Sequence, residues 1–177
     1  MGFPPVFRNK KSKLVTDAEL GEFTEVSGPA IEGKNRVVDF FYHYWRDKCA
    51  GDHLPARADI RPTEISHFID HTVIMDVGGS LPDFTLNIRL IGTHVTTFYG
   101  EITGKDVREM SNQNAAERIY HICTKVLADR QPHLTVTPAF SPDRQYLEAY
   151  ALYMPLFGDD GRIDKIMVAV DVRSLYR

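Results

Sequence analysis

The chain is predicted to be an α+β domain: a five-stranded antiparallel sheet with helices on one face and an N-terminal helix covering the sheet. Three observations predict this. The hydrophobic period changes along the chain in the order helix, two strands, several short helices, one long helix, three strands. The last three strands are joined by short connections, which makes them a meander of antiparallel neighbours. The strand from Tyr146 to Phe157 is apolar on both faces, with Leu147, Ala149, Ala151 and Tyr153 on one and Tyr150, Leu152 and Met154 on the other, so it needs cover on both sides.

Residues 1–32 mix Pro4, Pro5, a Lys10-Lys11-Ser12-Lys13 cluster, Gly28 and Pro29, with Gly33 just after, without a sustained period, and are expected to form a flexible N-terminal arm. Residues 33–177 are expected to form a single domain that includes a helix over 35–49. In that helix Val37, Val38, Phe41, Tyr44 and Trp45 recur at three-and-four spacing, and Gly51 stops it. Two prolines in the segment Leu54 to Pro62 bias their preceding residues toward extended backbone, which predicts an ordered crossing and then a short helical turn to about Phe68.

Thr72 to Val77 is a β-branched run ended by Gly78-Gly79, and Phe84, Leu86, Ile88 and Leu90 alternate with polar residues, which predicts a hairpin. Gly92-Thr93 starts a short helix that Gly100 ends, and a second short piece fits around Lys105 to Met110. The long helix begins near Asn114, because Ala115, Ala116, Ile119, Ile122, Cys123, Val126 and Leu127 form one stripe. Strands over 133–140, 146–157 and 163–172 follow, with Gly158-Asp159-Asp160-Gly161 as the turn between the last two.

Composition narrows the function. The 177 residues, 43% apolar and 11% aromatic, suffice for one sizeable core. A net charge of -3 and a pI near 6.1 argue against nucleic-acid binding. The two cysteines, Cys49 and Cys123, fit a reducing cytoplasm. No apolar run is long enough to insert in a membrane, and Gly2 lacks the Ser or Thr at position six that myristoylation wants, because Val6 stands there.

The run from Trp45 through Leu54-Pro55-Ala56-Arg57-Ala58-Asp59-Ile60-Arg61-Pro62, then Arg89-Leu90-Ile91-Gly92-Thr93 and Thr103-Gly104-Lys105-Asp106, resembles a family of small stand-alone alphaproteobacterial PAS proteins. The resemblance spans residues 35–173. It implies the PAS fold and a sensory or regulatory role in bacterial signalling. It also implies a small-ligand cavity between the long helix and the sheet. The candidate ligand-binding residues are Leu86, Ile88, Leu90, Phe98, Ile119, Ile122 and Cys123, with His94 and Tyr99 as polar groups that orient a guest. In PAS relatives the N-terminal helix often joins a dimer interface, so a homodimer or signalling partner is expected to use Val38, Phe41, Trp45, Tyr150 and Leu152.

Arg57, Asp59 and Arg89 fall at motif positions. Arg89 alternates away from the apolar face of its strand, so it is expected either to pair with Asp59 and clamp the Pro-rich crossing to the sheet, or to recognise an anion. Haem is disfavoured because His121 falls on the outer face of the long helix, and flavin because the Asn-Cys-Arg motif of the PAS photosensors is absent. The nearest metal-ligand pairs, His67 with His71 and His53 with Asp52, lack a third ligand, so no metal is expected. No G-x-S-x-G elbow, phosphate loop or H-E-x-x-H helix occurs, and no base and nucleophile can be paired, so an enzyme using His94 or Tyr99 is set aside. Two readings remain open: a ligand-binding sensor, and an adaptor with a filled core that binds its partner constitutively.

Overall fold

The computed structural model describes residues 23–138 and 146–176. In chain order the elements are β1 (Thr24–Ser27), α1 (Arg36–Lys48), β2 (Thr72–Ser80), β3 (Asp83–Ile91), α2 (Thr93–Tyr99), α3 (Gln113–Asp129), β4 (His133–Thr137), β5 (Leu147–Phe157) and β6 (Ile163–Ser174). Short 3-10 turns cover Gly28–Ile31, Arg57–Asp59, Pro62–His71 and Val107–Glu109. All strand pairs are antiparallel, in the order β1-β4-β5-β6-β2-β3.

The sheet therefore has six strands rather than five. The extra one, β1, lies in the segment expected as a flexible arm and pairs Thr24–Ser27 with His133–Val136 of β4. Ile31 just after it is fully buried. Residues 1–22, including the lysine cluster, lie outside the described residues.

Helix α1 lies across one face of the sheet. Asn35 caps it, its Oδ1 accepting from the backbone N–H groups of Val37 (2.9 Å) and Val38 (3.1 Å). Val38, Phe41 and Trp45 of α1 pack with Ile74, Leu134, Leu152, Met154 and Met167 into one buried cluster, and the Trp45 indole N–H donates to the Pro155 carbonyl at 2.8 Å. The other face carries a second cluster, in which Met75, Leu86 and Ile88 of the hairpin meet Val95, Val107, Ala115, Ile122, Cys123 and Val126. Adjacent residues of the central strand β6 serve opposite clusters: Ala169 belongs to the α1 side and Val170 to the α3 side.

The hairpin carries a bulge. Ile74 pairs with Leu90 and Met75 with Ile88, so Arg89 is an extra residue on β3 and the inward alternation breaks there. The β3 edge is covered at this point, since the Ile88 N–H donates to the Lys105 carbonyl at 2.9 Å and the Gly104 N–H to the Ile88 carbonyl at 2.6 Å. Just beyond, a Cβ on Gly92 would overlap the Asp70 carbonyl, so this crossing requires glycine.

Candidate functional site

Between the sheet and the helices α2 and α3 lies a cavity of about 50 Å³. The sheet contributes Met75, Ile88, Val168 and Val170 to its walls, α2 contributes Val95 and Tyr99, and α3 contributes Ile119. Met110 and Ile102 close it from the segment between the helices. The 17-residue α3 shares this face with the seven-residue α2 and a 3-10 turn, joined by irregular backbone, and the cavity lies where these pieces meet.

A second space of about 20 Å³ shares Tyr99, Ile119, Ala151 and Tyr153 with the first. Its remaining walls are Ala115, Arg118, Thr135, Thr137 and Ala149. Arg118 is only 9% exposed, and its Nη1 has no hydrogen-bond partner among the described residues. Burial pulls this guanidinium below its ordinary pKa. Burial also pushes the phenols of Tyr99 and Tyr153 up, the latter well above its ordinary value, so both stay neutral.

Beside α2 sits a polar cluster built from three distant segments. His71 ends the turn after Pro62, His94 lies in the first turn of α2, and Asp171 lies on β6. The two imidazole rings are 4.0 Å apart between centroids, and the Asp171 Oδ1 is 3.6 Å from His71 Nδ1 and 3.6 Å from His94 Nε2. The Val172 N–H donates to His94 Nε2 at 3.1 Å, and His71 Nδ1 lies 2.8 Å from the Val170 carbonyl, to which it donates as the Nδ1–H tautomer. The other Asp171 oxygen accepts from Asn35 Nδ2 at 2.9 Å, which ties the cluster to the N-cap of α1. One ligand atom from each of His71, His94 and Asp171 falls within 4.8 Å of the others, so the third partner that His71 lacks in the sequence is supplied by the fold. A metal held through His71 Nδ1 and His94 Nε2 would displace the backbone partners of both rings.

The structure distributes the sequence-predicted residues unevenly. Ile88, Tyr99 and Ile119 line the larger cavity, while Leu86, Ile122 and Cys123 are buried in the core around it and Phe98 packs against that core. Leu90 is a correction: the bulge turns it outward, leaving it 40% exposed, and Ile91 lines the cavity instead. Arg89 does not reach Asp59. Its Nε donates to Asp76 of the neighbouring strand at 2.8 Å, whereas Asp59 accepts from the Ala56 N–H and Arg57 donates to the Ile60 carbonyl, so each stabilises its own turn. Val38, Phe41, Trp45, Tyr150 and Leu152 do not form an exposed partner surface, because α1 seals them within the chain. His121 faces outward as expected, and its ring lies 3.0 Å from Glu25 of β1. That contact, with Lys125 beside it, holds the Glu25 carboxyl down at about 2.

The PAS domain family model matches residues 34–170. The chain belongs to the PAS domain family. Among solved structures it is similar to a sensory box sensor histidine kinase from Vibrio cholerae, at 14% identity and a TM-score of 0.44, over 62% of this chain and 90% of that one. It is also similar to an RNA-binding Light-Oxygen-Voltage receptor, at 12% identity and a TM-score of 0.45, over 93% of this chain but 43% of the receptor. No curated protein matches the chain. Among the described residues, no helix of this PAS protein is long and apolar enough to cross a membrane.

Neither Arg118 nor the His71, His94 and Asp171 cluster emerges from sequence reasoning. Arg118 carried one signal, its position three residues after Ala115 and four before Ile122, on the flank of the apolar stripe. The cluster carried none, because its members are separated by tens of residues.

Proposed function

We propose that this PAS domain is a sensory module of bacterial signalling that admits a small molecule into its core cavity and passes occupancy to a partner through the cover helix α1. The cavity of about 50 Å³ carries the reading. A water needs roughly 10–15 Å³ of such space and several polar partners, so a wall this apolar favours a small apolar group over ordered solvent.

A route outward starts at α2, which lines the cavity through Val95 and Tyr99 and carries His94 on the same helix. A guest that displaces α2 changes the His94 and Asp171 contacts, and with them the Asn35 cap of α1. The signal requires that the guest bind the displaced state better than the resting one. Output then passes through association, as a homodimer or with a signalling protein, over a surface other than the sealed sheet face. The module binds rather than catalyses: His94 Nε2 is engaged by a backbone N–H, and the Tyr99 phenol is held too high to exchange protons near neutral pH.

Native mass spectrometry of the purified chain, set beside its denatured mass, tests the reading. A dimer carrying a discrete passenger, or an apo protein that takes up small apolar molecules with saturable affinity, supports it. A clean apo mass with no uptake overturns it in favour of the constitutive adaptor.

A further inference from the structure

Arg118 is anomalous in the α3 cluster. A guanidinium offers five N–H donors and stays charged in proteins, so burying it without an anion incurs a desolvation cost that ordinary packing does not offset. Among the described residues no carboxylate pairs with it. Phe23 lies against its outer side, with the guanidinium carbon 5.9 Å from the ring centroid, so the residue preceding β1 helps to seal it in. On its inner side are the space of about 20 Å³ and the hydroxyl-bearing Thr135 and Thr137.

The two spaces differ in chemistry and share a wall. The larger is lined mainly by aliphatic and methionine side chains, with Tyr99 and Tyr153 on the wall it shares, and the smaller is lined by the buried Arg118 together with two threonines. Resting on the ligand-binding reading above, we infer that the guest is a short-chain monocarboxylate, its carboxylate paired with Arg118 and its aliphatic tail in the larger cavity. Arg118 supplies the planar fork that a carboxylate accepts in bidentate fashion. The small volumes restrict the tail to a few carbons. Met75 and Met110, whose unbranched side chains repack readily, set how far the wall can yield.

Calorimetric titration of the full chain with sodium butyrate, butyramide, 1-butanol and sodium phosphate at fixed ionic strength tests the assignment. Butyrate is expected to bind at least about tenfold more tightly than the amide or the alcohol, and phosphate to bind no better than they do. The Arg118→Met variant is expected to bind butyrate and butyramide within roughly twofold of one another. As a measurement on the unaltered protein, the carboxyl carbon of labelled butyrate is expected to keep the chemical shift of the ionised form when bound, at pH values where the free acid is protonated.

Equal affinity of the unaltered protein for butyrate and butyramide, or a bound acid that titrates like the free one, overturns the role of Arg118 and leaves the cavity reading standing. Phosphate binding as tight as butyrate overturns the tail assignment. Failure of all the organic probes to bind overturns the cavity reading itself, and the carboxylate with it.

Discussion

The two faces of the sheet are built to different standards of packing. On the α1 side the single 13-residue amphipathic helix lies over the strands, and most of the largest fully buried side chains are there, among them Phe41, Leu134, Leu152, Met154, Leu156 and Met167. On the α3 side the cover is assembled from α2, a 3-10 turn and α3, and beneath it lie both cavities and Arg118, whose Nη1 has no hydrogen-bond partner among the described residues. A single helix presents a regular ridge that strands can match, whereas a cover of several pieces meeting at irregular joints leaves space at their junctions. The first face is closely packed, and the second keeps open space beneath its cover.

Truncating the packed face is the most severe way to break this contrast. Trp45→Ala removes a buried indole and its bond to the Pro155 carbonyl, and is expected to cost about 3–5 kcal/mol in urea unfolding. A destabilisation below about 1 kcal/mol would show that α1 is a loosely held cover rather than a structural wall.

The neighbours Ala169 and Val170 sharpen the comparison, because each tests one face from the same strand. Ala169→Val should overpack the α1 side and cost about 1–3 kcal/mol. Val170→Ile should place its added methylene in the cavity and stabilise by up to about 0.8 kcal/mol, with weaker uptake of any guest. Equal penalties at the two positions would mean that the α3 face is as tightly filled as the other.

Acid should act through the cluster that links the faces. Burial chiefly, and the neighbouring His71 second, hold the His94 pKa below its ordinary value, while Asp171 and Asp70 oppose the shift. The unfolded histidine takes its proton near pH 6.5, so this group leaves stability unchanged above about that pH. As the pH falls further, the unfolded chain is protonated first, and stability declines until the lowered folded pKa is reached. Urea midpoints between pH 8 and pH 5 should show the decline, and His94→Gln should flatten it. An identical slope in the variant would assign the effect to other groups.

The smallest effect concerns the thiols. Cys123 is fully buried, and burial pushes its thiol far up, while Cys49 is half-buried and raised by the same cause. Iodoacetamide should leave Cys123 unmodified in the native protein and label both cysteines in denaturant, as read by mass spectrometry. Rapid native labelling of Cys123 would show that the α3 face opens readily.

Where a single period governs a segment, the sequence was a sufficient guide: the helix expected over 35–49 is α1, and the stripe beginning near Asn114 is α3. The strand pair after Thr72 and the final meander also follow from alternation and turn residues. What escaped depends on partners distant in the chain. β1 is four residues long, has no alternating burial, and exists because β4 offers it an edge. Leu90 obeys its alternation only up to the bulge, which a local pattern does not announce. Arg57 and Asp59 satisfy their own turn, so the expected clamp to Arg89 was a contact that local bonding had already replaced. The candidate site was legible as an apolar cavity wall, but its buried cation was not, because a charged residue on the flank of a stripe ordinarily extends to solvent.

The bulge on β3 also determines how the sheet can meet other molecules. An open strand edge is a template for another chain, yet at Ile88 both backbone groups are engaged by Lys105 and Gly104, and an isolated bridge joins Asn87 to Asp106. The hairpin side is thus closed to strand addition by its own loop. At the opposite margin stands β1, only four residues long and too short to seed extended pairing. Both margins of the described sheet are therefore poor templates for extended strand pairing, the hairpin margin through its own loop and the β1 margin through its short length.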